Sequence, residues 1–112
     1  MKNLNIENTK ITRLTDDLSK LLKLENFNMA NVKNLELGNQ LYNLKRIKKL
    51  NIKGCIIDKL PNLTLLNKLE TLDISDNNFM EIDEEVFGRV NALAKLVAFN
   101  NKFTIFPNIK KL

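Results

Sequence analysis

Few side chains in this 112-residue chain are equipped for covalent or acid–base chemistry. It has no histidine, so it holds no Ser–His or Cys–His nucleophile pair and no imidazole ligand or proton shuttle near neutral pH. Its single cysteine, Cys55, excludes an internal disulfide and a multi-thiolate zinc site. The carboxylates Glu81, Asp83, Glu84 and Glu85 lack the loop spacing and enforcing glycine of a calcium or magnesium site, and read as a solvated edge. Gly38, Gly54 and Gly88 are isolated and build no phosphate-cradling loop. The inventory predicts no enzyme, no metal, no cofactor and no small-molecule substrate.

What remains is charge. Residues 1–68 carry 13 Lys/Arg against 6 Asp/Glu, net +7, and residues 69–112 carry 5 against 7, net −2, which together give the +5 of the whole chain. Lys20, Lys23, Lys45, Arg46, Lys48, Lys49 and Lys68 lie in the basic part. Like charges stacked along one rim repel by about a few tenths of a kcal/mol per pair. RNA phosphates would supply the missing counter-charge and release their own ions. Without interleaved aromatics such a contact reads backbone and not sequence. A solvated, lysine-rich surface is the competing reading. No apolar run approaches the roughly 20 residues that span a bilayer, and Met1 to Glu7 holds no apolar segment of signal-peptide length. The expectation is a cytoplasmic protein, with the nucleus as the other option and no membrane partner.

These residues sit on a repeat. Leu69, Leu72, Ile74, Asn77, Phe79 and Ile82 spell L-x-x-L-x-I-x-x-N-x-F-x-x-I. The same spacing recurs as Ile47, Leu50, Ile52, Cys55, Ile57, Leu60 and as Leu93, Leu96, Ala98, Asn101, Phe103, Phe106. A copy without its leading position runs Leu4, Ile6, Thr9, Ile11, Leu14. Leu24, Phe27, Met29 and Val32 give a weaker one, followed by Asn34 and Leu37, irregular or shifted by one around Leu35. The equivalent residues Ile6, Met29, Ile52, Ile74 and Ala98 lie 23, 23, 22 and 24 positions apart.

This pattern resembles the leucine-rich repeat family across essentially the whole chain. It gives a single domain, 1–112, of about five repeats near 1–23, 24–46, 47–68, 69–92 and 93–112. The resemblance implies an α/β leucine-rich repeat solenoid with a curved parallel sheet on its concave face and short helices or turns on the convex side. The physics agrees, since one repeat cannot bury its apolar side chains alone and stacking joins them into a core. The family also implies an asparagine ladder, filled here by Asn77 and Asn101. Thr9 and Cys55 are substitutes that can hydrogen-bond, and Val32 cannot. Apolar spacing of i, i+3 predicts helical turns over Leu18 to Leu24 and Leu41 to Ile47, and a longer helical return over Asp83 to Leu96.

Interior positions only build the core, so outward ones carry function. The residues between the inward pairs are Asn5, Asn28, Asn51, Asp73 and Val97, expected in one column at roughly 4.8 Å steps. The next outward column reads Glu7, Ala30, Lys53, Ser75 and Phe99. Val97 beside Phe99 fits a partner anchor; the alternative is that Phe99 folds over the solenoid edge as a makeshift cap. A third column, Lys23, Arg46 and Lys68, precedes the strands. The resemblance implies a non-enzymatic interaction module that binds protein through Asn5, Asn28, Asn51, Lys53, Asp73, Val97 and Phe99. Only Met1 to Asn3 precede the first strand, and Ile105, Phe106, Ile109 and Leu112 are available for a short cap. An uncovered first repeat exposes a strand edge, so either the chain is a fragment or something covers that end; the expectation is a small subunit packed within a larger intracellular complex. The alternative is a ribonucleoprotein component whose basic rim faces RNA.

Overall fold

The computed structural model describes residues 2–11, 23–33, 44–57, 63, 66–81 and 93–103. Five strands of three residues each carry the architecture: β1 (Asn3–Asn5), β2 (Asn26–Asn28), β3 (Lys49–Asn51), β4 (Thr71–Asp73) and β5 (Lys95–Val97). They pair in chain order and every pairing is parallel. Asparagine is a poor strand former, and three residues are too short to persist alone. Stacking therefore makes these strands, through the apolar residue at each centre. Leu4, Phe27, Leu50, Leu72 and Leu96 stand in one row of the register, and the middle three are buried.

Directly behind the sheet lies the core. Leu24, Met29, Val32, Leu44, Ile47, Ile52, Leu63, Leu66, Leu69 and Ile74 are fully buried, with Phe79 and Leu93 almost so. Leu4, Ile6, Leu96 and Ala98 pack on this core and are partly buried. The solenoid is the expected one, and the second repeat holds register from Asn26 through Met29. Its irregular stretch beyond Lys33, most of the three helical returns and the cap residues Ile105, Phe106, Ile109 and Leu112 lie outside the described residues. Ile47 closes a turn by donating its N–H to the Leu44 carbonyl at 3.2 Å.

Each strand ends in the same bend. Asn8, Asn31, Gly54, Asp76 and Asn100 all have positive φ, from +55° to +68°. Glycine, asparagine and aspartate are the residues that adopt this left-handed conformation most readily. At Gly54 space matters as well, because a Cβ there would lie 2.3 Å from the Asn31 Oδ1. Ile56 is the exception, at φ +56°. A β-branched residue held there stores about 1–2 kcal/mol of strain.

The bend also corrects one expected column. Ala30 and Ser75 are buried, at 3% and 0% exposure, whereas strict alternation places them outward beside Lys53 and Phe99. Period-two alternation belongs to extended chain and stops where the backbone turns. Small residues at positions 30 and 75 sink into the bend.

Candidate protein-interaction face

The register assembles the concave column as expected. Asn5, Asn28, Asn51, Asp73 and Val97 face one another across successive strands. A second outward row, not singled out from the sequence, is Asn3, Asn26, Lys49, Thr71 and Lys95. Together they line a shallow depression of about 370 Å³. Leu-x-Leu-type spacing marks the residue after each strand centre, and the residue before it is outward by the same alternation.

Four members of the first column are tied to their own backbone. The side-chain oxygens of Asn5, Asn28, Asn51 and Asp73 accept the N–H of Glu7, Ala30, Lys53 and Ser75 at 2.9–3.0 Å. Asparagine and aspartate bond readily to the backbone two residues on. The polar column thus holds the exits of β1 to β4. The Asn28 Nδ2 reaches the Glu7 carboxylate at 3.4 Å. Asn26 and Asn3 bond side chain to side chain in the neighbouring row.

At the C-terminal corner the side chains meet each other instead. Gly54 bonds to the Ser75 carbonyl, and Asp76 bonds to the Phe99 carbonyl, so Ser75 sits one repeat from Lys53 and one from Phe99. The Lys53 ammonium reaches over this gap to lie 5.5 Å from the centre of the Phe99 ring. Its Nζ is also 3.7 Å from the Asp76 carboxylate. Asp76 in turn accepts from the Asn100 Nδ2 at 2.6 Å. Phe99 keeps 58% of its surface exposed, and Val97 is half-buried beside it. Lys53 therefore joins the Val97 and Phe99 pair at one corner.

Below the bend runs the ladder. The Asn77 Nδ2 donates to the carbonyls of Ile52, Ile74 and Ser75, and its Oδ1 accepts from the N–H groups of Cys55 and Ile57. Asn101 repeats this one turn on, accepting from the Phe79 N–H and donating to Ile74, Ala98 and Phe99. Cys55 takes the same position and donates its thiol to the Met29 carbonyl at 3.1 Å. Burial pushes the Cys55 thiol up from its ordinary value, opposed by backbone hydrogen bonds from Val32 and Asn31. A raised thiol is a poor nucleophile. Val32 is buried and apolar, and Thr9 is exposed.

The basic residues divide. Lys23, Lys45, Arg46 and Lys68 are exposed ahead of the strands, and Lys20 lies outside the described residues. Lys49 belongs to the concave face, not the rim, because it opens β3. Lys48 pairs with Glu25 at 3.3 Å, and Lys2 approaches the same carboxylate at 3.9 Å. Backbone hydrogen bonds place Lys2, Glu25, Lys48 and Glu70 in consecutive repeats of one row. Alternating sign there offsets the repulsion expected of a basic rim. The signal was in the sequence, as a charge change at each repeat of one position.

With the geometry in place, the comparisons with known proteins fall into line. A family model described as Leucine Rich Repeat matches residues 68–90. Over 89 residues, 80% of this chain, the sequence is 36% identical to "Leucine-rich repeat-containing protein 4" of Rattus norvegicus, Mus musculus and Homo sapiens. The chain spans 12% of the length of those curated relatives. A solved leucine-rich repeat protein of Leptospira interrogans superposes with a TM-score of 0.87 at 24% identity, over 95% of this chain and 27% of that one. An internalin of Listeria monocytogenes superposes with a TM-score of 0.73 at 21% identity, over 93% of this chain and 29% of that one. At such identities the two structures speak to fold alone. The recurring motif, the matched family model and the shared solenoid make this chain a leucine-rich repeat protein.

Proposed function

We propose that the chain is a protein-binding module whose concave face seats a partner, anchored at the corner of Phe99, Val97 and Lys53. Leucine-rich repeat domains generally mediate protein interaction and are typically non-enzymatic. The observation that carries the reading is the exposure of Phe99, 58%, next to Val97 and within reach of Lys53. Aromatic side chains, phenylalanine included, are enriched at the cores of protein interfaces. Asn5, Asn28, Asn51 and Asp73 complete the surface with outward polar groups on a fixed backbone.

A photo-crosslinking residue placed at position 97, and separately at the exposed Met80, tests this. Protein adducts are expected from position 97 and not from position 80, and Phe99→Ala is expected to abolish them. Equal labelling from both positions counts against the concave face. The finer reading is a small subunit of a larger intracellular assembly. Sedimentation of native lysate should then place the chain in a complex indifferent to RNase. Release by RNase would favour an RNA contact at Lys23, Lys45, Arg46 and Lys68 instead.

A further inference from the structure

We infer that the partner segment seated on the concave face is acidic, with a carboxylate held between Lys49 and Lys95 and an apolar side chain resting on Val97. The inference rests on the protein-binding reading above and adds the chemistry of what binds.

Lys49, Thr71 and Lys95 are consecutive in one outward row of the register. Adjacent parallel strands lie about 4.8 Å apart, so the two lysines leave the backbone roughly 10 Å from each other with the Thr71 hydroxyl between them. Both lysines are exposed, and both line the concave depression. Among the described residues no carboxylate lies within ion-pair distance of either, whereas Lys2, Lys48 and Lys53 each have one.

The neighbouring acids are already engaged. Asp73 lines the same depression, but its Oδ1 is taken up by the Ser75 N–H. Asp76 serves Lys53 and Asn100. Glu25 serves Lys2 and Lys48. Glu70 stands outside the depression, in the flanking row of alternating charge. Two exposed lysines lining one concavity give it a positive potential that draws in a carboxylate. An ammonium on a long stem reaches a point charge from either side, and Thr71 adds a hydroxyl donor.

Spacing fixes the rest. Val97 lies two residues along the strand from Lys95, about 7 Å at the rise of an extended chain. A segment with an acidic and an apolar side chain at about that separation satisfies both. The outward amides of Asn28 and Asn51 then face the backbone of such a segment.

Selection from a random linear peptide library displayed on phage, with the full chain immobilised, tests the inference. The expected consensus pairs Asp or Glu with an apolar residue at a fixed short spacing. Lys49→Glu with Lys95→Glu should weaken the selected peptides by about tenfold or more. Lys23→Glu with Lys68→Glu, at the exposed turns, should leave them unchanged. A consensus without acidic residues, still lost on Phe99→Ala, overturns this inference and spares the protein-binding reading. Equal weakening by the Lys23 and Lys68 pair also overturns it. A library that yields no binder, while an oligouridylate probe binds, overturns both.

Discussion

The two ends of the concave face are built from similar polarity and do different work. In β1 to β3 the column Asn5, Asn28 and Asn51 is bonded inward to its own backbone. At the other end Lys53, Asp76, Phe99 and Asn100 bond to one another across repeats. The first set is fixed by local geometry and shapes the strand exits. The second is held by exposed contacts worth about 0.5–1 kcal/mol each. A partner can rearrange such contacts at small cost. Polarity on a surface is thus not the same as availability: the amide-rich half is scaffold first, and the corner is the part free to exchange its contacts.

The sharpest way to break that contrast is from beneath it. Asn77→Ala strands the N–H groups of Cys55 and Ile57 and the carbonyl of Ile52. Several buried groups left unpaired should cost about 3 kcal/mol in a denaturant titration. An unchanged midpoint would mean the ladder does not hold the corner's repeat. Next in size is Phe99→Ala. It should lower partner affinity by about 2 kcal/mol, read by titration calorimetry, and leave the melting temperature nearly unmoved.

Asn51→Ala is the reciprocal case. It removes the bond to the Lys53 N–H and should cost about 1 kcal/mol of stability, with a loss of affinity well below that of Phe99→Ala. If affinity falls as far as for Phe99→Ala, the two halves are not distinct. At the junction between them, Ile56→Asn should stabilise the fold by about 1 kcal/mol, since asparagine tolerates the left-handed conformation. The smallest effect is pH-dependent. Burial raises the Cys55 thiol above its ordinary value of 9.0, so the neutral thiol favours the folded state. That contribution is fully present below 9.0 and is lost as pH rises through the raised folded value. The stability difference between the wild type and Cys55→Ala should shrink over the same alkaline range.

Much of this architecture was legible from spacing. The leucine and isoleucine pairs gave the inward residues, and their recurrence gave the register that places Asn5, Asn28, Asn51, Asp73 and Val97 together. The readings that failed are those where the chain leaves extended conformation. Strict alternation places Ala30 and Ser75 outward because it takes no account of the bend. The bend itself was readable, as Asn8, Asn31, Gly54, Asp76 and Asn100 share a position and a tolerance for positive φ. The double duty of the concave asparagines was readable too, from a column of Asn and Asp each two residues before a turn. What spacing does not encode is reach. Lys53 finds Phe99 across an intervening repeat only because Ser75 between them is small and buried.

The left-handed bend carries one more consequence. From the first residue of each strand to its bend is always five positions, from Asn3 to Asn8 and likewise from Asn26, Lys49, Thr71 and Lys95. Repeat length varies only outside that block. The solenoid therefore has interchangeable joints. A cut at one bend and a splice at the next, such as deleting residues 32–54, rejoins two chemically matching ends. Genes for such a chain can gain or lose whole cassettes by unequal recombination without disturbing the sheet, and the concave face lengthens or shortens one column entry at a time.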